Sequence, residues 1–245
     1  MSNYKDYRAI LEVPSFTATI ALRAEIGASS RRARDAKNKR LYSKHVLNVN
    51  RNELVRNILL NQYYDNETQY IKGLKRYMKT IVVKLEALQK ATIPKRKEKV
   101  NNLDTEWWKK VMTDKRTLRI YSKYKTKIKE ISWYDNSYKT NLMIKARTDS
   151  LSLNWRNKYK NADTKCLCGT PNEDLEHLIL ECELYGDIRK KFLFTQQPYR
   201  ENKEEVISNI LLFQELGESE IRERKHLLHE LWKERENKIK LVQLS

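Results

Sequence analysis

The chain holds three cysteines, and all of them fall within one short stretch, KCLCGTPNEDLEHLILEC, from Lys165 to Cys182. With His177 they read C-x-C-x8-H-x4-C. Thiolate and imidazole are the donors that zinc prefers, and four of them complete the closed tetrahedron of a structural site. Cys166, Cys168, His177 and Cys182 are therefore expected to hold one structural Zn2+, which cross-links a turn to a helix and so constrains the fold more than any other feature of the sequence. Gly169 is placed to supply the positive φ of the turn. Pro171 and Asn172 are expected to open a helix with Glu173 and Asp174 in its first turn. Cys182 follows His177 by five residues, about 140° round an ideal helix, so the last turn should loosen to bring both side chains to one metal. The alternatives are thiols buried as small hydrophobes, or a Cys166–Cys168 disulfide, which its spacing would strain and which would leave Cys182 unpaired.

Elsewhere the pattern is helical. Only five Gly and four Pro interrupt the 245 residues, and strand-like alternation is scarce. Ile71, Leu74, Met78, Ile81, Val82, Leu85 and Leu88 draw one apolar stripe along a helix, with Asn66 and Gln69 as a capped start and Pro94 after its end. Asn202 and Glu205 form a capping box for a helix over 204–216, with Gly217 as its stop. A further helix is expected from about Ser219 through Ile221, Leu227, Leu228, Leu231 and Trp232. The fold class is mainly α, a helical assembly with a small zinc-knuckle element. Composition divides it into a helical segment, 1–92, a basic and aromatic-rich segment, 93–165, and the knuckle with its following helices, 166–245.

Lys and Arg number 50 against 32 Asp and Glu, a formal charge of +18, which points to a polyanionic partner through counterion release. No apolar run approaches a membrane span and the amino terminus is polar, so a soluble, intracellular protein is expected, nuclear rather than cytoplasmic given such a partner. The positive charge is local. RRARDAKNKR, 31–40, spreads it around most of a helix, which nominates Arg31, Arg32 and Arg34 for phosphate contact. Between Lys139 and Lys165 seven basic residues face two acids, whereas 172–187 holds six acids and no Lys or Arg. Phosphate contact is therefore expected on the segment before the knuckle, at Arg147, Arg156, Lys158, Lys160 and Lys165, with zinc holding that segment against the helices that follow. Trp155 offers a stacking face for an unpaired base, or else packs in the core. Trp107, Trp108, Tyr121 and Tyr124, interleaved with Lys and Arg, pose the same choice. His226 and His229 lie three apart with no cysteine left to join them, and are taken as residues of a helix face.

The stretch CLCGTPNEDLEHLILECELYGDIR resembles the zinc knuckle near the carboxyl end of non-LTR (LINE-type) retrotransposon reverse transcriptases, in its acidic-apolar-Glu-His run ending at His177, then Cys182, Tyr185 and Arg189. KARTDSLSLNWRNKY, Lys145 to Tyr159, is similar to the Arg-Thr-x-x-Leu-x-Leu-Asn-x-Arg segment that precedes that knuckle. YRAILEVPSFTATIALRAEIGASS, Tyr7 to Ser30, resembles the segment after the polymerase thumb. No Tyr/Phe-x-Asp-Asp sequence is present, nor a Pro-Asp dyad with the downstream Lys of a restriction-like endonuclease. The chain thus looks like the post-polymerase region of such a protein standing alone.

The resemblance implies a non-catalytic module that binds RNA or single-stranded DNA, possessing one structural zinc and having a reverse transcriptase core as a further partner. No glycine-framed serine supports a catalytic triad, and the strands that a ribonuclease H needs for its carboxylates are missing from the pattern. The rival readings are a helical protein-interaction scaffold and a remnant of a decayed element.

Overall fold

The computed structural model describes residues 8–48, 53–65, 68–81, 93–160, 162–193 and 202–244. It is mainly helical, with no strand among the described residues. Two compact units emerge: one joins residues 1–26 to 112–245, the other is 27–111. These boundaries differ from the sections drawn by composition. Charge density changes at the surface, whereas units are set by which apolar faces bury each other.

The second unit is built from helices Arg31–Asn48, Glu53–Asp65, Gln69–Ile81 and most of Ile93–Thr113. Its core is Ala33, Val46, Leu47, Leu59, Ile71, Leu74 and Met78. The predicted stripe is thus confirmed at Ile71, Leu74 and Met78, while Val82, Leu85 and Leu88 lie outside the described residues. The start differs: Thr68 Oγ1 accepts from the Ile71 amide at 3.2 Å, and Asn66 lies outside the described residues. Residues 82–92 lie outside the described residues, so the helix end expected ahead of Pro94 does too. Pro94 sits in the first turn of Ile93–Thr113, where an amide has no intrahelical acceptor and a proline ring loses nothing. Ser30 caps the basic helix, its Oγ accepting from Ala33 N at 3.0 Å.

The first unit packs Tyr138–Arg147, Lys203–Ile210 and Glu218–Leu244 around Leu142, Met143, Ile207, Ile210, Leu227, Leu228 and Leu231. The predicted Asn202 cap is present, with its side chain accepting from Glu205 N. This helix ends at Ile210, however, well before Gly217. The reason is Arg147, whose Nη1 donates to the carbonyls of Leu211 at 2.6 Å and Leu212 at 2.7 Å. The guanidinium satisfies carbonyls that another helical turn would have used, and Leu212 adopts φ 58 to present them. Gly217 instead begins the last helix, its amide donating to Glu220 Oε2 at 2.9 Å.

Candidate metal centre

The turn from Cys166 to Gly169 is closed by a bond from Gly169 N to Cys166 O at 2.9 Å. Gly169 has φ +92, and nothing lies within 4 Å of where a Cβ would stand, so backbone conformation and not space demands glycine. Cys166 N donates to Thr170 O, and Glu173 N to Thr164 O, both at 2.9 Å, which lays the chain before the turn alongside the chain after it. The helix opens later than its first acids suggest. Asp174 is the capping residue, with Oδ1 accepting from His177 N at 2.9 Å, because the Glu173 carboxylate is engaged elsewhere. Residues His177–Glu181 form a π-helical turn, closed by Cys182 N donating to His177 O at 2.8 Å. The expected loosening is therefore an i→i+5 widening, which brings residues five apart close to one full turn.

Four donor atoms converge. The Cys166, Cys168, His177 and Cys182 ligand atoms all lie within 4.8 Å of one another. Cys166 Sγ is 3.6 Å from Cys182 Sγ, and Cys168 Sγ is 3.3 Å from His177 Nε2. Donors held at about 2.3 Å (sulfur) and 2.0–2.1 Å (nitrogen) on a tetrahedral zinc stand about 3.8 Å and 3.5 Å apart, so the cluster has the dimensions of a site for a metal such as zinc. The thiols are free, and the 3.6 Å separation is far from a disulfide bond of about 2.05 Å. His177 Nδ1 faces Glu181 Oε2 at 3.8 Å, the side on which an imidazole ligand commonly finds a carboxylate. Burial pushes the Cys182 thiol up to about 12 and raises that of Cys166. Cys168 also feels desolvation, but bonds from the Thr170 hydroxyl and amide outweigh it and hold the thiol at about 6. A divalent cation among these sulfurs would favour all three thiolates.

The residues nominated for phosphate contact divide into two groups. Lys158, Lys160 and Lys165 are exposed. Arg31 and Arg34 are exposed on the basic helix, Arg31 lying 3.9 Å from Asp35; the Arg32 side chain lies outside the described residues. Arg156 is half-buried, 3.4 Å from Asp149, with its guanidinium over the Phe16 ring at 4.7 Å. Arg147 is a correction to the sequence reading. It is 4 % exposed, and besides the two carbonyls it donates to Glu25 Oε1 at 3.0 Å and lies 3.9 Å over the Phe213 ring. A guanidinium with those bonds to satisfy it can be buried, and so it faces the core and not a phosphate. Trp155 takes the second of its two readings and packs in the core instead of offering a stacking face: the residue is 7 % exposed, with Lys158 Nζ at 4.4 Å and Arg156 at 4.9 Å from its ring centroid. Trp108 and Tyr121 are likewise core residues, whereas Trp107 is exposed.

One pair escaped the sequence reading. Glu173 and Arg235 meet in the core, with Arg235 Nε 2.8 Å from Glu173 Oε1 and Nη2 2.6 Å from Oε2. Glu173 Oε2 also accepts from Asn154 N at 2.9 Å, and its carbonyl from Trp155 N at 3.1 Å. Asn154 Nδ2 in turn donates to Lys165 O at 2.7 Å. The 3-10 turn Asn154–Lys160, which carries Lys158 and Lys160, is thus tied to the knuckle and through Arg235 to the last helix. Nothing in the local sequence announces a partner 62 positions away.

The motifs quoted from the sequence acquire physical roles. Glu25, from the Tyr7–Ser30 stretch, pairs with Arg147, from Lys145–Tyr159; Leu151 and Leu153 are buried; Arg189 donates to the Cys182 carbonyl. No protein family, curated protein or solved structure matches this chain in comparisons with known proteins. The chain is a helical protein with a Cys3His cluster able to hold a metal such as zinc.

Proposed function

We propose that this protein is a nucleic-acid-binding module without catalysis of its own, in which a structural zinc fixes the orientation of a basic turn, similar to the tail of a LINE-type reverse transcriptase. The supporting observation is Glu173. It lies between Cys168 and His177 in the chain, and its carboxylate and carbonyl take the amides of Asn154 and Trp155. Exposed Lys158 and Lys160 on that turn, and Lys165 next to Cys166, are thereby held by the same short stretch as the metal. A formal charge of +18 and the exposed basic face at Arg31 and Arg34 add a second phosphate-binding surface in the other unit.

One observation favours the rival reading, a protein-interaction scaffold. The second unit carries a groove of about 490 Å³ lined by Tyr42, Val46, Val55, Ile58, Leu59 and Tyr70, apolar enough to take a helix. Salt separates the two. Mobility-shift titrations of single-stranded RNA, single-stranded DNA and duplex DNA over a salt series should show affinity falling steeply with salt. The Lys158→Gln, Lys160→Gln, Lys165→Gln triple variant should reduce the logarithmic salt slope by about 2 on a single strand, at roughly 0.7 per lost phosphate contact. The Cys166→Ser, Cys168→Ser variant should weaken binding in the same direction by freeing the turn. Binding that ignores salt and both variants, or no binding to any of the three nucleic acids, overturns the proposal.

A further inference from the structure

In the sequence, His226 and His229 have no cysteine left to join them in a metal site. The fold supplies a different third donor. His226, His229 and Glu230 stand at i, i+3 and i+4 on the Glu218–Leu244 helix, within about 60° to one side and 40° to the other of His226. Their ligand atoms all lie within 4.8 Å of one another. Glu230 Oε1 is 3.2 Å from His229 Nδ1 and 3.7 Å from His226 Nδ1. Donors bonded at about 2.0–2.1 Å to a tetrahedral ion are about 3.3 Å apart, so a metal could be accepted with small rotations of the side chains.

Two aromatic rings orient the imidazoles. Phe192 meets His226 edge to face at a centroid distance of 5.2 Å, and Tyr138 meets His229 the same way at 5.8 Å. His226 Nδ1 is shielded from solvent and has no hydrogen-bond partner among the described residues, although an acceptor-donor atom of that kind is costly to bury unpaired. A metal bond would satisfy it.

We propose that His226, His229 and Glu230 form a second metal site for a divalent transition ion, separate from the Cys3His cluster. Two imidazoles and one carboxylate select Zn2+, Co2+ or Ni2+ over Mg2+ and Ca2+, whose preferred donors are all oxygen. Three protein donors leave at least one coordination position to water or an anion, in contrast to the closed knuckle. All three residues are half-buried, so the ion would face solvent on one side.

Cobalt titration of the full chain, followed by absorption, distinguishes the two sites. The knuckle gives an intense thiolate-to-cobalt band in the near ultraviolet, and the second site only weak visible bands. The expected result is two equivalents of Co2+ per chain. In the His226→Gln, His229→Gln variant the thiolate band should remain and the second equivalent should disappear; in Glu230→Gln, where neither imidazole is touched, its affinity should fall at least tenfold. Circular dichroism of each variant reports whether the helix is retained. Saturation of the parent chain at one equivalent, or a second equivalent that survives in both variants, overturns the proposal.

Discussion

Replacing Glu173 with Gln should unfold the first unit far more readily than the loss of one charge at a surface. The two side chains of the Glu173–Arg235 pair are 1 % and 5 % exposed, so neither charge has water to fall back on. The carboxylate accepts three bonds: two from Arg235, at 2.8 and 2.6 Å, and one from the Asn154 amide at 2.9 Å. A glutamine keeps one oxygen and turns an N–H₂ toward a guanidinium, donor against donor. One charge-assisted bond is lost outright and the others lose the charge of their acceptor. At about 1.5–3 kcal/mol for each bond to a charged group, the sum agrees with the 3–5 kcal/mol typical of breaking a buried ion pair. That corresponds to a fall in Tm of roughly 6–20 °C, at about 2–4 °C per kcal/mol for a unit of this size. Urea unfolding of the zinc-loaded chain, followed by tryptophan fluorescence, measures it. Glu173→Met and Arg235→Met should each cost a similar amount by stranding the partner's charge. The double variant should cost no more than the worse single, because no buried charge is left. A Glu173→Gln loss under about 1 kcal/mol, or a double variant equal to the sum of the singles, would show that the pair does not carry the joint.

Arg147→Ala should destabilise the chain by about 3–5 kcal/mol by leaving buried Glu25 with only Lys125, 3.9 Å away, whereas Lys158→Gln should stay within about 0.5 kcal/mol; denaturant melts of the two variants test the inward placement of Arg147. Asp149 is raised to about 7, chiefly by burial, with Arg156 opposing the shift. Its folded value lies above the unfolded value of about 3.9, so its contribution is fully present below about pH 4 and is lost as the pH rises through about 7. Asp149→Asn, which tolerates the left-handed backbone there (φ 48), should flatten the stability profile between pH 4 and 7 and gain most at pH 8. Thermal melts across that range that run parallel to the parent would refute it.

Local features were legible in the residues alone. The scarcity of Gly and Pro and the 3.6-residue stripes specify helices, because periodicity of apolar side chains acts within a few turns. The donor set at Cys166, Cys168, His177 and Cys182 was legible for the same reason, and so was the widening between His177 and Cys182, since five residues do not close an α-helical turn. Which basic residues face inward depends on contacts between distant parts of the chain. Arg147 and Arg235 read in sequence like any other cations, and their fate depends on Glu25 and Glu173, which stand 122 and 62 positions away in the chain. The same distance effect set where the Lys203–Ile210 helix stops, because the guanidinium that takes its terminal carbonyls comes from another helix. A charge is buried only where folding brings it a partner, and chain neighbours carry no record of that partner.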